Sequence, residues 1–164
     1  MSRESFRDTL VASAAELGYS HDRFRPLEDE EAGRVASAVE ATFGDAANGA
    51  MVGWWYSTRS CPLPTESRCF REGGWRYLLD VAFGPTDRVW LLTENWGGGP
   101  PITLAFESTA EVVLAVLGNT FGFEYIVVDQ QFRWLFAEDH EDCVMVAGTE
   151  AVRRLQAIPG TTAS

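Results

Sequence analysis

Glu138, Asp139, His140, Glu141 and Asp142 stand in a row between two apolar stretches, and His140 is one of only two histidines in the chain. An imidazole among carboxylates can ligate a divalent metal, exchange protons or hold a cation. Spacing decides between these. In an extended strand Glu138, His140 and Asp142 would project from one side, a His-plus-carboxylate metal set. In a tight turn they would splay into water. The link between the flanking apolar runs is short, which favours the turn, and no second histidine lies near. The first reading is a solvated turn, the second an acidic knob that binds a partner, and the last a metal or catalytic site; no catalytic residue and no metal or other cofactor is expected. Neighbouring carboxylates should raise the pKa of His140.

A second group could hold a ligand. Trp54, Trp55, Tyr56, Trp75 and Trp96 lie close in sequence to Arg59, Arg68, Arg71 and Arg76. Tryptophan and arginine together suit a nucleotide, carboxylate or peptide. Trp54, Trp55, Arg59, Arg71 and Trp75 form the alternative pocket. The plain competitor is a core filled by large aromatics and covered by arginine stems. The cysteines are Cys61, Cys69 and Cys143. An odd count without a CxxC pair argues for reduced, structural thiols rather than a disulfide framework or zinc site. No nucleophile elbow, zincin or calcium-loop pattern occurs.

Composition narrows the classes further. The net charge is −11, and all 13 basic residues are arginine. Without lysine there is no Schiff-base or phosphate-loop lysine chemistry. Residues 87–150 carry 11 acids against two arginines, a net −9. Such a half repels phosphate backbones, which excludes nucleic acid, and steers basic partners. No apolar run reaches the ~20 residues that cross a bilayer. The charged N-terminus does not resemble a signal peptide, so a cytoplasmic location is expected. With 46% hydrophobic and 12% aromatic residues, the chain can bury one core. Residues 1–160 read as one domain, and 161–164 as a polar tail.

These groups must be carried by secondary elements. Phe6, Leu10, Ala14 and Leu17 predict a helix over 4–17, ended by Gly18. Pro26 and the acids Glu28–Glu31 predict the start of a second helix, with Ala32, Val35, Ala36, Val39 and Phe43 as its apolar stripe. Residues 44–50 read as loop, residues 51–59 are apolar and aromatic but too short to assign by period, and residues 61–74 read as a long irregular connection. Trp75, Leu78, Leu79, Ala82 and Phe83 give a third helical stripe. Period-two patterns predict strands over 88–94, 102–108, 123–129, 132–138 and 142–148, with helices over 110–118 and 149–157. The order α-α-α-β-β-α-β-β-β-α implies an α+β fold with an antiparallel sheet of about five strands. Trp134 and Phe136 face one side and Leu135 and Ala137 the other, so these strands should be covered on both faces or use one face for association.

Residues 123–148 carry a resemblance. An aromatic-rich strand (Phe123, Tyr125, Ile126, Val127) leads through Asp129 to a second strand (Phe132, Trp134, Leu135). An acidic turn (Glu138, Asp139, His140, Asp142) then precedes a strand ending at Gly148. The pattern is similar to that of small bacterial proteins of unknown function, over about 26 of the 164 residues. Their turn often holds a second histidine where this chain has Glu141, which weakens a two-histidine metal reading. The resemblance implies a shared α+β fold. In size and charge alone the chain is also like bacterial toxin-immunity proteins. The expected function is a non-enzymatic cytoplasmic binding protein for a basic protein partner, with a small-molecule binder or enzyme as the alternative. Oligomeric state is left open.

Overall fold

Tyr125–Asp129, Leu135–Glu138 and Cys143–Ala147 are buried along nearly their whole length, on both pleat faces. Strands of this kind cannot lie at a surface, so the sheet must be sandwiched. The computed structural model describes residues 3–44, 61–95, 102–120 and 122–159. Trp54, Trp55, Arg59, Tyr56 and Trp96 lie outside these residues, as does the 161–164 tail.

Among the described residues the helices are α1 (Arg3–Glu16), α2 (Asp29–Phe43), α3 (Leu78–Val81), α4 (Ala110–Asn119) and α5 (Thr149–Ala157). The strands are β1 (Arg25–Pro26), β2 (Thr65–Cys69), β3 (Arg88–Asn95), β4 (Ile102–Thr109), β5 (Tyr125–Asp129), β6 (Leu135–Glu138) and β7 (Cys143–Ala147). They form one sheet in the order β1-β4-β3-β5-β6-β7-β2, antiparallel throughout. The fold is α+β, as expected.

Alternation along the strands builds two cores. Leu91, Leu104, Phe106, Val127, Phe136 and Val146 pack beneath side chains of α1, α3, α4 and α5. Leu92, Ala105, Ile126, Leu135, Ala137 and Met145 share the other core with Val35, Val39 and Phe43 of α2. Each fully buried aliphatic or aromatic side chain is worth roughly 1.5–3 kcal/mol of transfer free energy.

Seven strands replace the expected five or so, and both additions are edges. β1 is two residues long, and Leu27 N–H extends it by donating to Ala105 O at 2.8 Å. Pro26 therefore closes an edge strand rather than opening α2, which begins at Asp29 after Glu28. An edge tolerates proline because one side of the strand needs no ladder donors. β2 lies inside the stretch read as irregular. Its sequence, Thr-Glu-Ser-Arg-Cys, has no apolar alternation, and its strand form comes from pairing with β7. Short, charged or proline-bearing edges also discourage sheet-to-sheet association.

Three further boundaries differ. Residues 74–77 form a 3-10 turn before the four-residue α3, where one longer helix was expected. β5 starts at Tyr125 rather than Phe123. β6 starts at Leu135 because buried Asp129 organises the preceding turn. Its carboxylate accepts the N–H groups of Arg133 and Trp134 and pairs with the Arg133 guanidinium at 2.6 Å. Phe132 takes a positive φ of 54° in that turn.

The cysteine expectation is overturned. Cys69 and Cys143 are direct partners in the β2/β7 register, and their sulfurs are bonded. Neither is a reduced thiol or a zinc ligand. Cys61 is free and half-buried. A bridge across 74 residues restricts the unfolded chain and contributes typically about 2–4 kcal/mol. Replacing Cys69 and Cys143 together by serine should lower the urea midpoint accordingly. Intact-mass analysis after alkylation without reductant should show a single modified cysteine, Cys61. Three modified cysteines would exclude the bridge.

Candidate functional site

Tyr125 opens β5 and Glu138 closes β6, and the two are cross-strand partners. Their side chains meet on the face covered by α4. Tyr125 OH donates to Glu138 Oε2 at 2.6 Å. The other carboxylate oxygen, Oε1, accepts the backbone N–H of Gly74, and Trp75 N–H also contributes to holding the group. Glu138 is only 4% exposed. Burial raises its pKa, and Asp142 adds to the rise, against the hydrogen bonds that oppose it. Burial also raises Tyr125, with the Glu138 charge reinforcing the effect. Burial holds this carboxyl above the ordinary carboxylate range, although it accepts hydrogen bonds from the tyrosine hydroxyl and backbone N–H groups.

The segment before α3 delivers these donors through two glycines. Gly73 has φ +86°, a conformation that favours glycine. Gly74 is packed so closely that a Cβ would lie 2.0 Å from Val144 Cγ2 and 3.0 Å from Glu138 Oε1. The chain then turns Trp75 against α4, where Gly118 leaves room for the edge of the indole. Arg76 places its guanidinium 5.0 Å from the Trp75 ring centroid, within cation–π range.

Next to Glu138 the chain forms the β6–β7 turn. Asp139 Oδ1 accepts N–H groups from Glu141 at 2.8 Å and Cys143 at 3.0 Å. Asp142 has φ +57°, and its carbonyl accepts Phe70 N–H at 3.0 Å. His140 points to Glu124 rather than into its own acidic run, with Nδ1 2.5 Å from Glu124 Oε1. That hydrogen bond and the Glu124 charge raise the pKa of the exposed His140.

These pieces enclose a cleft of about 360 Å³. Trp75, Phe123 and Tyr125 supply aromatic surface, and Leu117 and Thr120 close it from the end of α4. Glu72, Asp139, His140 and Asp142 stand around the side that Glu138 anchors. The acidic run and Trp75, read from the sequence as members of two rival sites, thus line one cleft. Glu138 is a buried strand residue, whereas Asp139–Asp142 form the expected turn. Glu141 is exposed and outside the cleft lining. Arg71 is exposed and also outside it. Trp54, Trp55 and Arg59 lie outside the described residues. Sequence reasoning did not single out Gly73, Gly74 or the Tyr125–Glu138 pair. The readable signals were the adjacent glycines before Trp75 and the strand phases that face Tyr125 and Glu138 alike.

Asp139, Glu141 and Cys143 place one donor atom each within 4.8 Å of one another. The geometry overstates the set as a metal centre. Cys143 sulfur is committed to the disulfide, and Asp139 Oδ1 already accepts two N–H groups. Two carboxylates, Asp139 half-buried and Glu141 exposed, do not make a transition-metal site without a nitrogen or thiolate ligand.

A family profile matches residues 2–159 of this chain. The chain belongs to a family of unknown function, DUF6756. No curated protein and no solved structure matches it. The match covers nearly the whole chain, against the 26 residues of the likeness noted over 123–148.

On the other face, Glu94 of β3 is raised from the ordinary carboxyl value of 4.5 to about 7, by burial first and the Glu124 charge second. The folded protein therefore holds a proton there that the unfolded chain releases. Stability from this group is present below pH 4.5 and is lost as the pH rises to about 7. Glu94→Gln should lose less stability between pH 5 and pH 7 than the parent in urea titrations. Parallel losses would exclude this linkage.

Gly74→Ala should cost about 1–3 kcal/mol through overpacking against Val144 and displacement of Glu138. The urea midpoint reads that loss. Gly33→Ala is the control, because nothing lies within 4 Å of a Cβ there.

Proposed function

We propose that this family member is a non-enzymatic binding protein that holds a basic protein partner, with the Glu138 cleft at the centre of its acidic surface. The observation that carries the reading is the joining of Trp75, Phe123 and Tyr125 with Glu138, Asp139 and Asp142 in one cleft. Aromatic faces and carboxylates attract cations by the same electrostatic sign. The net −9 of residues 87–150 adds long-range steering toward that region. A toxin-immunity protein of bacterial origin is the most concrete form of this reading, resting on size and charge.

A cytoplasmic location completes the proposal. No helix among the described residues is long and apolar enough to cross a membrane. The Cys69–Cys143 bridge pulls the other way, since disulfides persist mainly in oxidising compartments. The alternative, a small-molecule binder or enzyme built on Trp54, Trp55, Arg59, Arg71 and Trp75, draws support from Trp75 alone among the described residues, and Trp75 belongs to the cleft.

Capture from extracts of the native host tests the proposal. The immobilised protein should retain a basic protein at low salt and release it as salt rises. Asp139→Asn with Asp142→Asn should slow association more than it speeds dissociation. Recovery of no partner at low salt, or retention indifferent to salt, would overturn it.

A further inference from the structure

The exposed acids of the β6–β7 turn would not by themselves define a ligand. The cleft beside them does more. Its anchor is a carboxyl 4% exposed, its walls are aromatic, and its volume is about 360 Å³. That lies near the low end of the roughly 300–1,000 Å³ of small-molecule sites. It suits one long side chain rather than a dinucleotide or cofactor.

We propose that the cleft receives the cationic head of a single arginine or lysine side chain from the partner, stacked among Trp75, Phe123 and Tyr125 and neutralised by Glu138 and Asp142. The inference rests on the binding-protein reading and adds the chemical group recognised.

Three observations support it. Trp75 already carries the Arg76 guanidinium 5.0 Å from its ring centroid, so this indole suits a planar cation. The charged and titratable groups lining the cleft are Glu72, Tyr125, Glu138, Asp139, His140 and Asp142, and only His140 can be positive. His140 is drawn aside to Glu124. The cleft thus has negative potential, aromatic surface and no arginine of its own among its lining residues.

Burial makes Glu138 harder to ionise, and a cation placed beside it makes ionisation easier. Below its raised pKa, cation entry displaces a proton. As the pH rises, Glu138 ionises and His140 loses its charge, so affinity rises in both cases.

The test is calorimetric titration of the full chain with blocked tripeptides Gly-Arg-Gly and Gly-Lys-Gly. The same tripeptide with neutral citrulline is the control. The arginine or lysine peptide should bind, and citrulline should bind about tenfold or more weakly, the loss of a charge-assisted contact. Glu138→Gln should weaken cation binding similarly while keeping acceptor and donor atoms for Gly74 and Tyr125. Asp142→Asn, which suits the φ of +57°, provides a second folded variant. Affinity should increase from pH 5 to pH 8. Equal binding of citrulline, or no effect of either variant on the cationic peptides, overturns the inference. So does absence of binding by both cationic peptides.

The two proposals fail separately. A salt-sensitive partner captured equally by the parent and Glu138→Gln leaves the binding-protein reading standing and removes the cleft as its anchor. Cation-selective peptide binding without any captured partner does the reverse.

Discussion

The carboxyl of Glu138 joins three parts of the chain that are distant in sequence. Tyr125 OH binds one oxygen and Gly74 N–H the other, so a single side chain couples β5, β6 and the segment ahead of α3. Placement of Trp75 follows from this, because Gly73 and Gly74 must approach the carboxyl before the indole can reach Gly118. The cleft exists because these constraints meet at one end of the sheet. Loss of the carboxyl would leave a tyrosine hydroxyl and a backbone N–H without their acceptors inside the protein, which costs more than the net worth of the bonds themselves.

The sheet that supports this junction was legible where pattern and burial agree. β3, β4 and the hairpins from β5 to β7 are apolar enough to declare themselves, and Leu135 and Phe136 do face opposite cores. β2 was not legible. Thr65–Cys69 has an exposed, polar sequence, and only the β7 register makes it a strand. The same pairing brings Cys69 to Cys143, so missing the strand entailed missing the disulfide. Pro26 was misassigned for a related reason. Proline suits both the first turn of a helix and an edge strand, and the deciding contact, Leu27 N–H to Ala105 O, is tertiary.

The acidic run shows the same division at the level of single residues. Composition placed Glu138 and Asp142 in one negative group, but the pleat separates them. Glu138 is the last buried position of β6, while Asp142 stands in a left-handed turn conformation in water. Only the buried Glu138 carboxyl loses its hydration, and that burial raises its pKa. His140 carries its Nδ1 to Glu124, so the one imidazole in the run serves an ion pair across the β5 start rather than a ligand set with its neighbours. Side-chain direction, which a row of letters does not encode, separates a metal site from an acidic surface here.

A purely structural role for Glu138 would be served at lower cost by a neutral amide. Glutamine can accept the Gly74 N–H and hydrogen-bond to the Tyr125 hydroxyl without burying a charge. A carboxylate in the same place is penalised by desolvation and by Asp142 nearby. Either a proton or an external cation relieves that penalty. The proton relieves it at the expense of the negative potential in the cleft, whereas a cation uses that potential and also meets the faces of Trp75, Phe123 and Tyr125. The part of Glu138 that a neutral isostere cannot replace is its charge, and that charge adjoins the cleft lined by Trp75, Phe123 and Tyr125.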